Sequence, residues 1–157
     1  MSGKVIAIFL ALMTLLTAGG VYYLQVYHYY RTVAPEDAPT SIPLAGAAPA
    51  ELPVTDYQGI WSVSSPLSAR ACFRTDPMLV QGLTPYDDPT PLIPPPWFGC
   101  FEGEAIAADL ASGQVRAYLS QKNVAPKIDS VVAVYPDGRA YEWRQLNEDA
   151  EETRTID

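Results

Sequence analysis

The uncharged run VIAIFLALMTLLTAGGVYYL, residues 5–24, decides how this chain is built. Twenty residues of α-helix rise about 30 Å, which matches the hydrocarbon thickness of a bilayer. Tyrosines crowd the end of the run, and rings of this kind favour the level of the lipid headgroups. The sequence therefore predicts a single transmembrane helix with a Tyr-rich collar over residues 5–31, in contact with the lipid bilayer.

The residues around this run favour a cytoplasmic N-terminus. Lys4 precedes the run and Arg31 follows it, so the count of flanking cations barely decides the orientation. Residues 1–4 are a very short leading segment, and the start of the chain resembles an export signal that is not cleaved. Small residues at 17–19 would also allow cleavage, but the continuing apolar run argues against it. We expect the remainder of the chain in an oxidising compartment, which suits its two cysteines.

Three tyrosines of the collar have helical spacing. Tyr23, Tyr27 and Tyr30 stand at i, i+4 and i+7, so we expect one aromatic face that continues past the membrane surface. Tyrosine is favoured where one end of the ring is buried and the other is hydrated, so this face is predicted to contact membrane-embedded protein subunits. His28, the only histidine, lies in the collar without metal-ligating neighbours, and we predict neither a metal site nor a cofactor.

The rest of the chain divides into three predicted parts. Residues 32–53 combine recurring prolines with Ala, Thr and Ser, which favours a semi-rigid linker. Residues 54–146 are predicted to form a small α+β domain of antiparallel strands with one short helix, over residues 102–110. Residues 147–157 are predicted to be a frayed acidic tail.

A hairpin over residues 128–146 is the clearest element of this domain. Two apolar runs flank a Pro-Asp-Gly turn, which is a hairpin signal with a known conformational basis. We expect Val132 and Val134 to pack opposite Tyr141 and Trp143. Shorter strands are predicted at residues 59–64, 70–74 and 115–119.

The charge of the chain limits its partners. The net charge is −8, and from residue 32 onward eight Lys and Arg stand against eighteen Asp and Glu, a net charge of −10. Binding to nucleic acid or to anionic headgroups needs basic patches, so neither is expected. The acidity serves solubility or, alternatively, attracts a soluble basic protein such as cytochrome c. The acidic face proposed for that contact consists of Asp87, Asp88, Glu102 and Glu104.

The two cysteines and the proline-rich loop between them are the remaining candidates. Cys72 and Cys100 are predicted to form a disulfide that closes the loop, and the alternative is a thiol pair that handles copper or exchanges disulfides. Trp97 and Phe98 follow three consecutive prolines, as either a core plug or an edge that binds a partner. Nucleophile and base pairs, phosphate loops and Cys/His clusters are not recognisable, so we do not expect an enzyme.

Several segments resemble an uncharacterised alphaproteobacterial family of short single-pass membrane proteins. They are Arg70-Ala-Cys-Phe, Pro96-Trp-Phe-Gly-Cys-Phe101 with Glu104-Ala-Ile, and Val131-Val-Ala-Val-Tyr-Pro-Asp-Gly-Arg139. The resemblance implies the inner membrane of a Gram-negative cell with the domain in the periplasm, and it implies no activity. The resemblance extends to relatives with further cysteines near the C-terminus, which this chain lacks, so a second disulfide is not expected there.

Together these observations favour a non-enzymatic accessory or assembly subunit of an inner-membrane complex. A respiratory complex of the cytochrome oxidase type is the expectation that bacterial context suggests. The alternatives are a periplasmic thiol or copper-handling factor that uses Cys72 and Cys100, and a tethered acidic domain that binds a soluble periplasmic ligand or a basic protein such as cytochrome c.

Overall fold

A computed structural model describes residues 2–46, 50–81 and 83–152. The chain separates into two compact units, Met1–Tyr30 and Arg31–Asp157. The fold is α+β, as the sequence predicts, with an apolar helix in the first unit and a mostly antiparallel sheet in the second.

The first unit is a long apolar helix. Helix α1 spans Gly3–Tyr23 and continues as a π-helical segment, Leu24–His28. The whole of Gly3–His28 is long and apolar enough to cross a membrane, and none of its most apolar window is buried. Tyr23 and Tyr27 stack with ring centroids 6.1 Å apart, as the predicted aromatic face requires. Tyr30 departs from that prediction, because the helix ends before it and Tyr30 begins strand β1.

A six-stranded sheet forms the frame of the second unit within the described residues, in the order β1-β4-β5-β8-β7-β6. The pairs β4–β5, β5–β8, β8–β7 and β7–β6 are antiparallel. The strands of this sheet are β1 (Tyr30–Thr32), β4 (Thr55–Ser62), β5 (Ser65–Arg74), β6 (Arg116–Ala125), β7 (Ile128–Val134) and β8 (Arg139–Leu146). A separate antiparallel pair consists of β2 (Ser41–Leu44) and β3 (Ala50–Pro53).

The predicted hairpin is present as β7 and β8. Gly138 occupies the left-handed region at φ 84°, a conformation that glycine adopts without steric cost. The three-residue turn pairs Val134 with Ala140 and therefore Val132 with Glu142. The predicted packing of Val132 and Val134 against Tyr141 and Trp143 is wrong, because this register places Tyr141 and Trp143 on the opposite face of the sheet.

One face of the sheet is covered by the β2–β3 pair, which corrects the predicted linker over residues 32–53. Ile42, Leu44 and Leu52 are 3%, 3% and 0% exposed, and they belong to one core cluster with Phe73 and Val132 of the sheet. The apolar residues alternate with prolines along these short strands, so the prolines face outward while the chain still buries an apolar side.

The other face carries helix α2 (Gly103–Ser112) and the proline-rich loop. Helix α2 agrees with the predicted helix and ends at Gly113, whose φ is 77°. Phe101 is 2% exposed and makes edge-to-face contacts with Tyr141 and Trp143, at centroid distances of 5.9 and 6.4 Å. The guanidinium of Arg70 lies 5.9 Å from the centre of the Phe101 ring. This face is therefore an aromatic layer under the loop.

The described part of the predicted tail is folded. Asn147 is 4% exposed, and α3 (Glu148–Glu152) follows it directly. The backbone N–H of Asn147 donates to the Lys127 carbonyl at 3.0 Å, which secures the end of β8. The remainder of the predicted tail, residues 153–157, lies outside the described residues.

Candidate functional site

A cavity of about 660 Å³ lies where β8 ends, between that strand and the irregular segment 84–90. Its walls come from parts of the chain that are far apart in sequence, because the sheet brings the start of β7 beside the end of β8. The polar and charged lining residues are Thr84, Tyr86, Asp87, Asp88, Thr90, Lys122, Asp129, Gln145, Asn147 and Glu148.

A buried carboxylate forms the floor of this cavity. Asp129 is 3% exposed and accepts hydrogen bonds from the Tyr86 hydroxyl at 3.1 Å and the Asn123 backbone N–H at 2.9 Å. The Asn147 side-chain Nδ2 donates to it at 2.9 Å. Each of these donors is neutral. The Asp129 carboxylate is therefore stabilised by hydrogen bonds, and none of these three partners carries a positive charge.

The phenol of Tyr86 remains protonated in this setting. Burial and then the adjacent Asp129 carboxylate raise the pKa of Tyr86 well above its ordinary value of 10. Tyr86 therefore acts as a hydrogen-bond donor to Asp129 at every physiological pH.

Gln145 attaches the irregular segment to the sheet. Its Oε1 accepts from the Thr90 backbone N–H at 2.7 Å and from the Trp143 indole Nε1 at 2.9 Å. Its Nε2 donates to the Asp88 carbonyl at 3.1 Å. Gln145 is 6% exposed, so these bonds form in a shielded setting and fix the wall of the cavity.

Asn147 has one unsatisfied atom. Its Nδ2 also donates to the Asn123 side-chain oxygen at 3.0 Å, which fixes the orientation of the amide. Its Oδ1 is buried and accepts no hydrogen bond from the described residues. An unsatisfied buried acceptor costs free energy, so a donor at this position would be favourable.

A smaller cavity of about 230 Å³ is lined by residues of β4, β5, β7 and β8, among them Tyr57 and Glu142. Oε1 of Glu142 accepts from the Ser130 and Ser120 hydroxyls, at 2.7 and 3.2 Å. Burial raises the pKa of Glu142 above its ordinary value, and the two serine hydrogen bonds oppose that shift. Burial, with a smaller contribution from Glu142, raises the pKa of Tyr57 to about 12.

The fold brings the two predicted cysteines together. Cys72 and Cys100 lie at disulfide distance, with Cα atoms 6.3 Å apart. Cys72 is 8% exposed within β5, so this sulfur is not at the surface.

The aromatic candidates separate into surface and core. Tyr23 and Tyr27 are 58% and 48% exposed, and Trp97 is 36% exposed. Phe98 is 8% exposed, which agrees with the predicted core plug and corrects the prediction that this residue also binds a partner.

The predicted acidic residues are all exposed. Asp87 and Asp88 line the large cavity, whereas Glu102 and Glu104 lie at the start of α2 and do not line it. In residues 2–46, 50–81 and 83–152, no three His, Cys, Asp or Glu side chains are grouped closely enough to hold a metal ion.

Sequence reasoning missed the buried network around Asp129. Tyr86, Asp129 and Asn147 are 43 and 18 residues apart, so no local pattern connects them. A signal was nevertheless present, because Asp129 interrupts an apolar strand and all seven residues of β7 are buried. A carboxylate in such a strand requires hydrogen-bond donors from elsewhere in the fold.

Fold and site together define a class: an α+β domain with a cavity at one end of its sheet, preceded by an apolar helix of membrane-spanning length. The chain belongs to a family of unknown function, DUF6446, whose model matches residues 40–154. The match begins at β2, so it includes the β2–β3 pair. No curated protein and no solved structure matches the chain.

Proposed function

We propose that this protein is a non-enzymatic accessory or assembly subunit of a complex in the inner membrane of an alphaproteobacterium, crossing the membrane once with its domain in the periplasm. The observation that carries the proposal is the helix Gly3–His28, which is apolar and presents no buried residue in its most apolar window. Such a helix requires cover by lipid or by other transmembrane helices.

The end of this helix supports a protein partner. Tyr23 and Tyr27 stack on each other and are largely exposed. A pair of stacked rings offers apolar faces with hydroxyls at the edge, which suits a contact at the border between protein and headgroups.

The periplasmic location is supported by the cysteine pair, because disulfides persist in oxidising compartments. Thiol exchange or copper handling would have to begin at Cys100, which is half-buried, because Cys72 is buried within β5.

A respiratory oxidase is the first complex to test. An acidic periplasmic domain would increase the rate at which basic proteins such as cytochrome c encounter the complex. From residue 32 onward this chain carries the required net charge of −10.

Site-specific photo-crosslinking in native membranes tests the proposal. A photoreactive phenylalanine analogue at Tyr27 should give one or a few discrete protein adducts, identifiable by mass spectrometry. The same analogue at the exposed Gln114, on the domain surface, is the matched control and should not give those adducts. Lipid adducts alone at both Tyr23 and Tyr27 would contradict the proposal.

A further inference from the structure

We propose that the 660 Å³ cavity beside the end of β8 binds a small organic cation, namely a primary ammonium group carried on a short apolar chain. This inference goes beyond the accessory role and does not depend on it. It rests on the size of the cavity, its apolar wall, its charge and its demand for hydrogen-bond donors.

The volume and the apolar wall fit a small amphiphile. Ligand sites typically measure about 300–1,000 Å³ and are lined largely by apolar side chains. Leu92 and Leu146 line this cavity and remain 36% and 42% exposed. Covering such leucine surface with an alkyl chain contributes about 25 cal/mol per Å² removed from water.

The charge of the lining selects a cation. Four carboxylates and one ammonium line the cavity, a net charge of −3, and they are Asp87, Asp88, Asp129, Glu148 and Lys122. Lys122 and Glu148 form an ion pair at 3.4 Å and so offset each other, and the three aspartates make the net charge of the lining negative. A concave surface of one sign concentrates the field and attracts ligands of opposite charge.

The hydrogen-bonding groups select a donor. The acceptors that a ligand in the cavity can reach are the exposed carboxylates of Asp87 and Asp88, whereas Oδ1 of Asn147 and the Asp129 carboxylate are buried. An ammonium group supplies three donors and no acceptor, together with the missing positive charge. A hydroxyl supplies one donor without the charge, and a carboxylate adds repulsion.

Three ligands of matched size separate these contributions. Hexylamine, hexan-1-ol and hexanoate are titrated into the full-length chain in nanodiscs of zwitterionic lipid. NMR signals of the Thr90 amide and the Trp143 indole report on the cavity, because both groups donate to Gln145. Hexylamine should shift them saturably and bind about tenfold more tightly than hexan-1-ol, and hexanoate should not bind. Equal affinity for the amine and the alcohol, or no saturable response to hexylamine, would overturn the proposal.

Charge-removing variants test the location. Asp87→Asn with Asp88→Asn removes two exposed charges, and asparagine tolerates the φ of 51° at Asp88. This variant should weaken hexylamine binding about tenfold, since it removes two of the three aspartates that give the cavity its negative charge. Glu102→Gln with Glu104→Gln is the control of equal charge and should bind as the wild type does. An identical effect of the two pairs would show that general acidity, and not this cavity, attracts the amine.

Discussion

Removal of the Cys72–Cys100 bridge should lower the free energy of unfolding of the domain by about 3.6 kcal/mol. The bridge spans a sequence separation of 28 residues. In the chain-entropy relation, a loop of this length restricts the unfolded chain by about 12 cal/mol/K, which is about 3.6 kcal/mol at 25 °C. The effect acts on the unfolded state, so the contacts that hold the loop in the folded protein do not reduce it.

The variant Cys72→Ala with Cys100→Ala is the appropriate perturbation. Serine would bury a hydroxyl at Cys72, which is 8% exposed, and would add an unrelated cost. Urea unfolding of the full-length chain in micelles, followed by tryptophan fluorescence, reports on the domain because the three tryptophans all lie outside the apolar helix. With a slope of about 1.5 kcal/mol/M, the midpoint should fall by about 2.4 M.

Reduced wild-type protein is the control for this experiment. A reductant should destabilise the wild type by a similar amount and leave the alanine variant unchanged. A loss below about 1 kcal/mol in both cases would refute the reasoning, since it would mean that the bridge does not restrict the unfolded chain.

Three further perturbations test the fold, each followed by the same urea unfolding. Leu52→Ala should cost about 3 kcal/mol, because Leu52 is 0% exposed, whereas a residue of a solvated linker would cost almost nothing. Gly138→Ala should cost more than about 1 kcal/mol, because φ is 84° and a Cβ would lie 2.9 Å from the Thr75 carbonyl oxygen; an unchanged midpoint would show that the turn relaxes freely. Burial raises the pKa of Glu142 in the folded protein, so the native state binds this proton more tightly than the unfolded chain does. The free energy of unfolding should therefore fall as the pH rises above 4.5, the ordinary pKa of this carboxyl group. Glu142→Gln should flatten that decline, and parallel pH profiles would refute the assignment.

The α+β class, the hairpin and helix α2 could be predicted because their signals are local. A Pro-Asp-Gly turn between apolar runs, and a glycine at the end of a short helix, each specify the backbone within a few residues. The local signals did not determine which side chains of the hairpin share a face of the sheet, because a shift of one residue in register exchanges the two faces. Trp143 therefore lies under Phe101 and not against Val132.

The β2–β3 pair and the cavity depend on contacts that are distant in sequence. Prolines made residues 32–53 resemble a linker, although the spacing of Ile42 and Leu44 already had the period of a strand. The β2–β3 pair is stable because it packs on the sheet, and nothing within its own sequence supplies that surface. Likewise, Asp129 and Asn147 meet only after the strands have paired.

The native mass of the protein, extracted from its own membranes in a mild detergent, tests the central claim most directly. The chain alone has a mass of 17.1 kDa. An accessory subunit should elute as a much larger particle together with other membrane polypeptides. Tyr23→Ala with Tyr27→Ala should release it from that particle without removing it from the membrane. A wild-type chain that elutes alone in its micelle, with no co-purifying membrane protein, would contradict the proposed function.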